Sequence, residues 1–152
     1  MNVTEVVSRL ENESTVRRTV VMLNRAFDDE DWQTVRSSLS ADFTGTATVQ
    51  FGQRATIPGA DTMLKVMKDI AAQRQAAGIK TMHVLGEMLV TVRGEQAEAF
   101  AFQTAYLYRA AEISSPSSKS GTRGTYQLRR ESGVWKIVSL DLDRVWLEGE
   151  AY

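Results

Sequence analysis

Four apolar residues, Val16, Val20, Leu23 and Phe27, recur at i, i+4, i+7 and i+11 and lay one apolar stripe along a helix that begins near Ser14. A shorter helical turn is expected ahead of it. The acidic run Asp28, Asp29, Glu30, Asp31 closes this helix, and Asp31 ahead of Trp32 suits the N-cap of a short second helix carrying Val35 and Leu39. Together they make a helix corner. From Phe43 to Phe51 the chain is rich in Thr, Val and Phe and is expected to form a first strand. Pro58 and Gly59 then open a third helix with Met63, Met67, Ile70 and Arg74 along one side and Gly78 at its C-cap.

Beyond residue 79 the period changes from helical to two. Strands are expected over Thr81 to Val92, Ala97 to Arg109, Gly121 to Arg130 and Val134 to Trp146, with turns at Arg93-Gly94-Glu95 and Glu131-Ser132-Gly133. Strands this long cannot stay flat, so the sheet must twist and coil and present a concave face. Gly86 is a candidate β-bulge: alternation turns His83 and Leu85 inward before it, and a one-residue slip hands that role to Met88, Val90 and Val92 while Glu87 turns out. Ser114 to Ser120 is the one low-complexity stretch, too polar to pack, and is expected to be a mobile hairpin loop.

The 152 residues suit a single α+β domain spanning 1–152, helices first and a coiled antiparallel sheet after, and 43% hydrophobic residues suffice for one core. Charge and composition then narrow the function. Eighteen basic residues nearly balance nineteen acidic ones, with no basic stripe to neutralise phosphates, so nucleic acid is not an expected partner. No cysteine is present, which excludes disulfides, thiolate catalysis and the usual cysteine zinc sites. No leader pattern or membrane-length apolar run appears, and a cytoplasmic location without membrane contact is the expectation. Glycine-rich phosphate loops, metal-spaced His/Glu sets and nucleophile elbows are missing, so neither metal nor cofactor is expected.

Carboxylates, hydroxyls and one histidine remain for chemistry. His83 is either a core or rim histidine held by one hydrogen bond or an acid-base group facing a pocket. Asp28 follows Phe27 at a helix C-terminus, where the macrodipole disfavours a carboxylate unless a partner offsets the cost. Reaching inward, it could orient the His83 imidazole and stabilise its protonated form; otherwise it is a solvated charge, as Asp29 and Glu30 are expected to be. Asp141 and Asp143 share a strand face and are expected to be a solvated strand end beside Arg144.

The third expected strand, Ala97 to Arg109, separates Ala97, Ala99, Ala101 and Ala105 from Phe100, Phe102, Tyr106 and Tyr108, and either face could be buried. One is expected to pack on the helices and the other on a partner subunit. Phe27, Trp32, Phe43 and Leu85 are candidate walls of a pocket for a small apolar molecule. Met63, Met67, Tyr106, Tyr126 and Trp146 are further candidates, the methionines also being ordinary core filler.

The runs Arg25-Ala26-Phe27-Asp28 ahead of Asp31-Trp32, Thr81-x-His83-x-x-Gly86, Gly94-Glu95-x-Ala97 and Gly133-x-Trp135-Lys136-Ile137 occur in an order and spacing that resemble the SnoaL-like branch of the nuclear transport factor 2-like superfamily. The resemblance spans nearly the whole chain. It implies a cone-shaped, cystatin-like fold of three or four helices on a coiled, mostly antiparallel sheet, and a homodimer formed through the sheet. The nearest likeness is to scytalone dehydratase-type proteins, whose helix-one aspartate and second-strand histidine match Asp28 and His83. That implies an acid-base dyad serving a cofactor-free lyase or isomerase. Phe27 stands where those dehydratases carry a tyrosine, the first strand reads Phe43-Thr44-Gly45-Thr46 where they have another, and their second histidine has no counterpart. A non-catalytic small-molecule-binding or dimeric accessory domain is the alternative.

Overall fold

In the computed structural model, which describes residues 2–48, 52–111 and 115–149, the first helix α1 runs unbroken from Val3 to Asp28. The separate turn expected ahead of Ser14 is part of the same helix. Asn2 explains the early start: its side chain accepts from Glu5 N at 2.9 Å, and the Glu5 carboxylate accepts from Asn2 N at 3.0 Å. This reciprocal cap satisfies two amides that would otherwise lack partners. Only the second half of α1 carries the apolar stripe into the core, while Val3, Val7 and Leu10 stay exposed.

Asp31 caps α2 (Trp32–Ser38), accepting from Thr34 N at 3.1 Å and from Thr34 Oγ1 at 2.6 Å. Glu30, at φ 57°, makes the reversal between the two helices. Leu39 does not lie on α2. It begins β1 (Leu39–Thr48), whose antiparallel partner β2 (Arg54–Pro58) the sequence pattern did not reveal. Residues 49–51, the end of the expected first strand, lie outside the described residues. Gly59, at φ 86°, turns the chain from β2 into α3 (Ala60–Ala76), and Gly78, at φ 70°, turns it out again.

Four long strands follow: β3 (Ile79–Arg93), β4 (Gln96–Arg109), β5 (Ser118–Glu131) and β6 (Val134–Gly149). The sheet order is β2-β1-β6-β5-β4-β3, and every pair is antiparallel except β1 with β6. The sheet is therefore mixed. The expected bulge is present: Leu85 pairs with Gln103 and Met88 with Ala101, leaving Gly86 and Glu87 opposite Phe102. Register shifts on β6 between the partners of Gly121 and Thr122, and of Gln127 and Leu128, add further breaks in the pleat.

The alanine face of β4 is the inner one. Ala97, Ala99 and Ala101 are buried, and the core joins Val16, Val20 and Leu23 of α1 to Phe43, Tyr126, Leu128, Ile137 and Leu140 of the sheet. Small residues on β4 let α1 approach while larger side chains enter from β1, β5 and β6. The serine stretch differs from expectation. Ser118 and Ser120 are buried within β5 rather than lying in a loop, because they alternate with Lys119 in register with Leu107 and Ala105; Ser114 lies outside the described residues. Among the described residues no helix is long and apolar enough to cross a membrane.

Candidate active site

Asp28 is the last residue of α1, and His83 lies on β3, the edge strand against which the helix ends. The Asp28 carboxylate bridges the two elements: Oδ2 accepts from the His83 backbone N–H at 2.7 Å, and Oδ1 lies 2.6 Å from His83 Nδ1. Two short contacts to one carboxylate fix its orientation and that of the ring. They also place the proton of the neutral imidazole on Nδ1, as donor to Oδ1, which leaves the Nε2 lone pair as the basic site. No protein group among the described residues bonds Nε2. The side chains are 12% and 15% exposed for His83 and Asp28, so the pair is shielded yet reachable.

The pair borders a cleft of about 440 Å³ between α1 and β3, lined by Val21, Asn24, Arg25 and Asp29 from the helix and by Lys80, Met82 and Leu85 from the strand. Tyr108 closes one end. That volume falls in the range of small-molecule sites. Arg25 and Asp29 pair with each other at 3.3 Å, so the two charges at the helix end largely cancel.

A polar thread runs beneath the cleft. Asn24 Nδ2 donates to Val20 O at 3.0 Å and lies 3.4 Å from Tyr126 Oη, and Tyr126 Oη donates to Gln103 Oε1 at 3.0 Å. Burial raises the Tyr126 hydroxyl above its ordinary value, partly opposed by the Asn24 hydrogen bond, so it remains a donor. Gly124 makes room for it: a Cβ there would crowd the Tyr126 ring, with Cε2 at 2.9 Å.

The structure sorts the other candidates by place. Leu85 lines the cleft, and the Phe27 ring lies 5.6 Å from the His83 ring and 6.2 Å from Trp32. Trp32 and Met67 are half-buried against the core. Phe43 and Met63 are closed inside that core, and Tyr126 is buried beneath the cleft rather than exposed in it. Alternation with the buried alanines turns Tyr106 to the outer face of the sheet. Trp146 lies there too, its indole so close over Gly121 that no Cβ fits at that position. Neither of these two lines the cleft. Asp141 and Asp143 are both half-exposed and paired with Arg54 of β2, which bonds Asp141 and lies 3.0 Å from Asp143.

Sequence reading missed Asn24, Gln103 and the surroundings of Arg74. Gln103 continues the 97, 99, 101 alternation, and Asn24 flanks the apolar stripe, so both positions were available as buried polar groups. Arg74 donates through Nη1 to Thr81 Oγ1 at 2.9 Å and lines, with Phe27, Asp28 and Thr81, a second cavity of about 20 Å³. Among the described residues no group of three or more His, Asp or Glu is arranged to hold a metal ion.

The SnoaL-like domain family matches residues 8–141. Solved structures agree on the architecture. An NTF2-like protein with a cystatin-like fold from Novosphingobium aromaticivorans is 21% identical, with a TM-score of 0.74 over 99% of this chain and 93% of that one. A candidate scytalone dehydratase from the same species is 13% identical, with a TM-score of 0.77 over 97% and 93%. The beta subunit of benzoate 1,2-dioxygenase from Burkholderia mallei is 16% identical, with a TM-score of 0.68 over 85% and 87%. At such identities the likeness shows the fold, three helices on a six-stranded mixed sheet, and not the reaction. No curated protein matches the sequence.

Proposed function

Because the chain belongs to the SnoaL-like domain family, we propose that it is a cofactor-free lyase or isomerase acting on a small apolar carbonyl compound, with Asp28 and His83 as its acid-base dyad. The carrying observation is the clamp of one carboxylate on both the backbone and Nδ1 of His83, which leaves Nε2 unbonded beside the cleft. In this reading Nε2 takes a proton from the carbon next to a substrate carbonyl, and the electron pair moves onto the carbonyl oxygen as an enolate. Asp28 stabilises the imidazolium that forms. The enolate then either expels a β-hydroxyl group, which leaves as water with the imidazolium proton, or, in a substrate with a β,γ double bond, takes that proton back at the γ-carbon as the double bond moves into conjugation. The first outcome is dehydration and the second isomerisation. Val21, Met82 and Leu85 supply apolar contacts for the substrate, and Asn24 and Lys80 supply polar ones.

Proton abstraction can be read without the natural substrate. A panel of small aromatic and alicyclic ketones in deuterated water, followed by proton NMR, reports exchange at the carbon beside the carbonyl. The native protein should accelerate exchange for at least one member, and His83→Ala should abolish the acceleration. Exchange that survives His83→Ala would refute the assignment.

A second reading is favoured by the same clamp. Both Asp28 oxygens are engaged by His83, so the pair could serve as a clasp fastening α1 to an edge strand in a non-catalytic binding or accessory domain. In that case a ketone that binds the cleft shows no accelerated exchange, and Asp28→Asn lowers stability without any catalytic phenotype.

A further inference from the structure

Arg74 lines a second, smaller cavity that shares Asp28 with the cleft. Its guanidinium is mostly covered near the end of α3, and burial is the main influence lowering its basicity, opposed by the Asp28 charge. A covered cation persists only where neighbours compensate it. Thr81, two residues before His83 on the same strand face, accepts from Nη1 at 2.9 Å. Arg74 and Asp28 also share the walls of the 20 Å³ cavity, the size of one water, and the buried Nε–H has no partner among the described residues. The Asp28 carboxylate thus stands between two cationic or potentially cationic groups, the imidazole in direct contact and the guanidinium across a water-sized gap.

We propose that Arg74 is a positioning residue for the dyad: its charge, anchored by Thr81, holds Asp28 ionised and keeps His83 in the neutral form that can accept a proton. This rests on the reading of Asp28 and His83 as an acid-base pair. Without Arg74, the lone carboxylate would draw a proton onto His83 more strongly and occupy the base before substrate arrived. The other charges around His83 are shared by every variant below. From α1 come the mutually paired Arg25 and Asp29, with Glu30 just beyond the helix. Lys80 on β3 and Tyr108 on β4 border the cleft. Arg144 on β6 opposes the Arg74 charge.

His83 is the only histidine in the sequence, so a proton-NMR titration of the full chain follows one imidazole without ambiguity. Arg74→Met should raise the midpoint of that titration by about one pH unit, a tenfold gain in proton affinity. Arg74→Lys, which keeps the charge, should stay within about 0.3 unit of the native midpoint. Thr81→Val, close to isosteric, should shift it upward by a smaller amount and carries the test alone if Arg74→Met does not fold. An unmoved midpoint in the folded neutral variants, or an Arg74→Lys shift as large as that of Arg74→Met, would overturn the proposal. No substrate enters the experiment, so its failure is separable from failure of the ketone exchange assay.

Discussion

The inner and outer faces of β4 are built from opposite materials. Inside, β4 offers Ala97, Ala99 and Ala101, nearly all backbone, and the bulk arrives from α1, from Tyr126 and Leu128 of β5 and from the other strands. Outside, Phe100 and Phe102 stack edge to face at 5.1 Å, Phe102 is 55% exposed and Leu89 64%. On β4, large apolar residues thus face outward, where Phe102 stays exposed among the described residues, and small ones lie where α1 presses close. The inner face changes character toward the C-terminal end of α1, where the apolar stripe gives way to Asn24, Asp28, Gln103 and His83. Stability and chemistry occupy adjoining stretches of the inner face, and the outer face has the composition of a contact surface.

The largest test of that contrast is a pair of truncations. Ile137→Ala, at a fully buried inner position, should cost about 2–5 kcal/mol in denaturant unfolding, whereas Leu89→Ala on the outer face should change stability by less than about 0.5 kcal/mol. Comparable costs would mean that the outer face is covered. Next in size is Tyr126→Phe, which leaves Gln103 Oε1 without its donor and should cost about 1–2 kcal/mol by the same measurement.

The outer face also has a direct assay. If it joins two copies of the chain, Phe102→Lys should convert a dimer into a monomer in analytical ultracentrifugation while leaving far-ultraviolet dichroism unchanged. A native protein that is already monomeric would remove that reading.

The smallest expected effect lies at an exposed pair. Asp42 is held down to about 2, chiefly by its hydrogen bond from Arg129. A carboxylate depressed in the folded state adds stability that is complete above the unfolded value, near pH 4, and is lost as the pH falls toward 2. Asp42→Asn should therefore flatten the acid limb of the stability curve slightly in that window, the pair being too solvated to do more.

Local patterns carried much of this in advance. The stripe through Val16, Val20, Leu23 and Phe27, the Asp31 cap and the slip at Gly86 are encoded within a few residues of where they act. The contact of Asp28 with His83 was one of two readings left open by the sequence, because a stripe ending at Asp28 and an alternation shared by His83 and Leu85 place each residue without bringing them together. What escaped depends on contacts distant in sequence. The parallel pairing of β1 with β6 has no local signature, and β2 is too short to show a period. Tyr106 and Trp146 were misplaced because alternation separates two faces without saying which one the helices cover. The aromatic face of β4 looked no less buriable than the alanine face, and α1 settles the matter. Arg74 was visible as a member of the α3 face, but its place behind Asp28 depends on how α3 meets β3.

In the acid-base reading, His83 presents an unprotonated Nε2 to the cleft while Asp28 holds the proton at Nδ1. Ring-nitrogen NMR on labelled protein, above the pH at which the ring loses its charge, reads the tautomer directly. The native protein should show the Nδ1–H tautomer, and Asp28→Ala should lose that preference. A native ring protonated at Nε2 would contradict it.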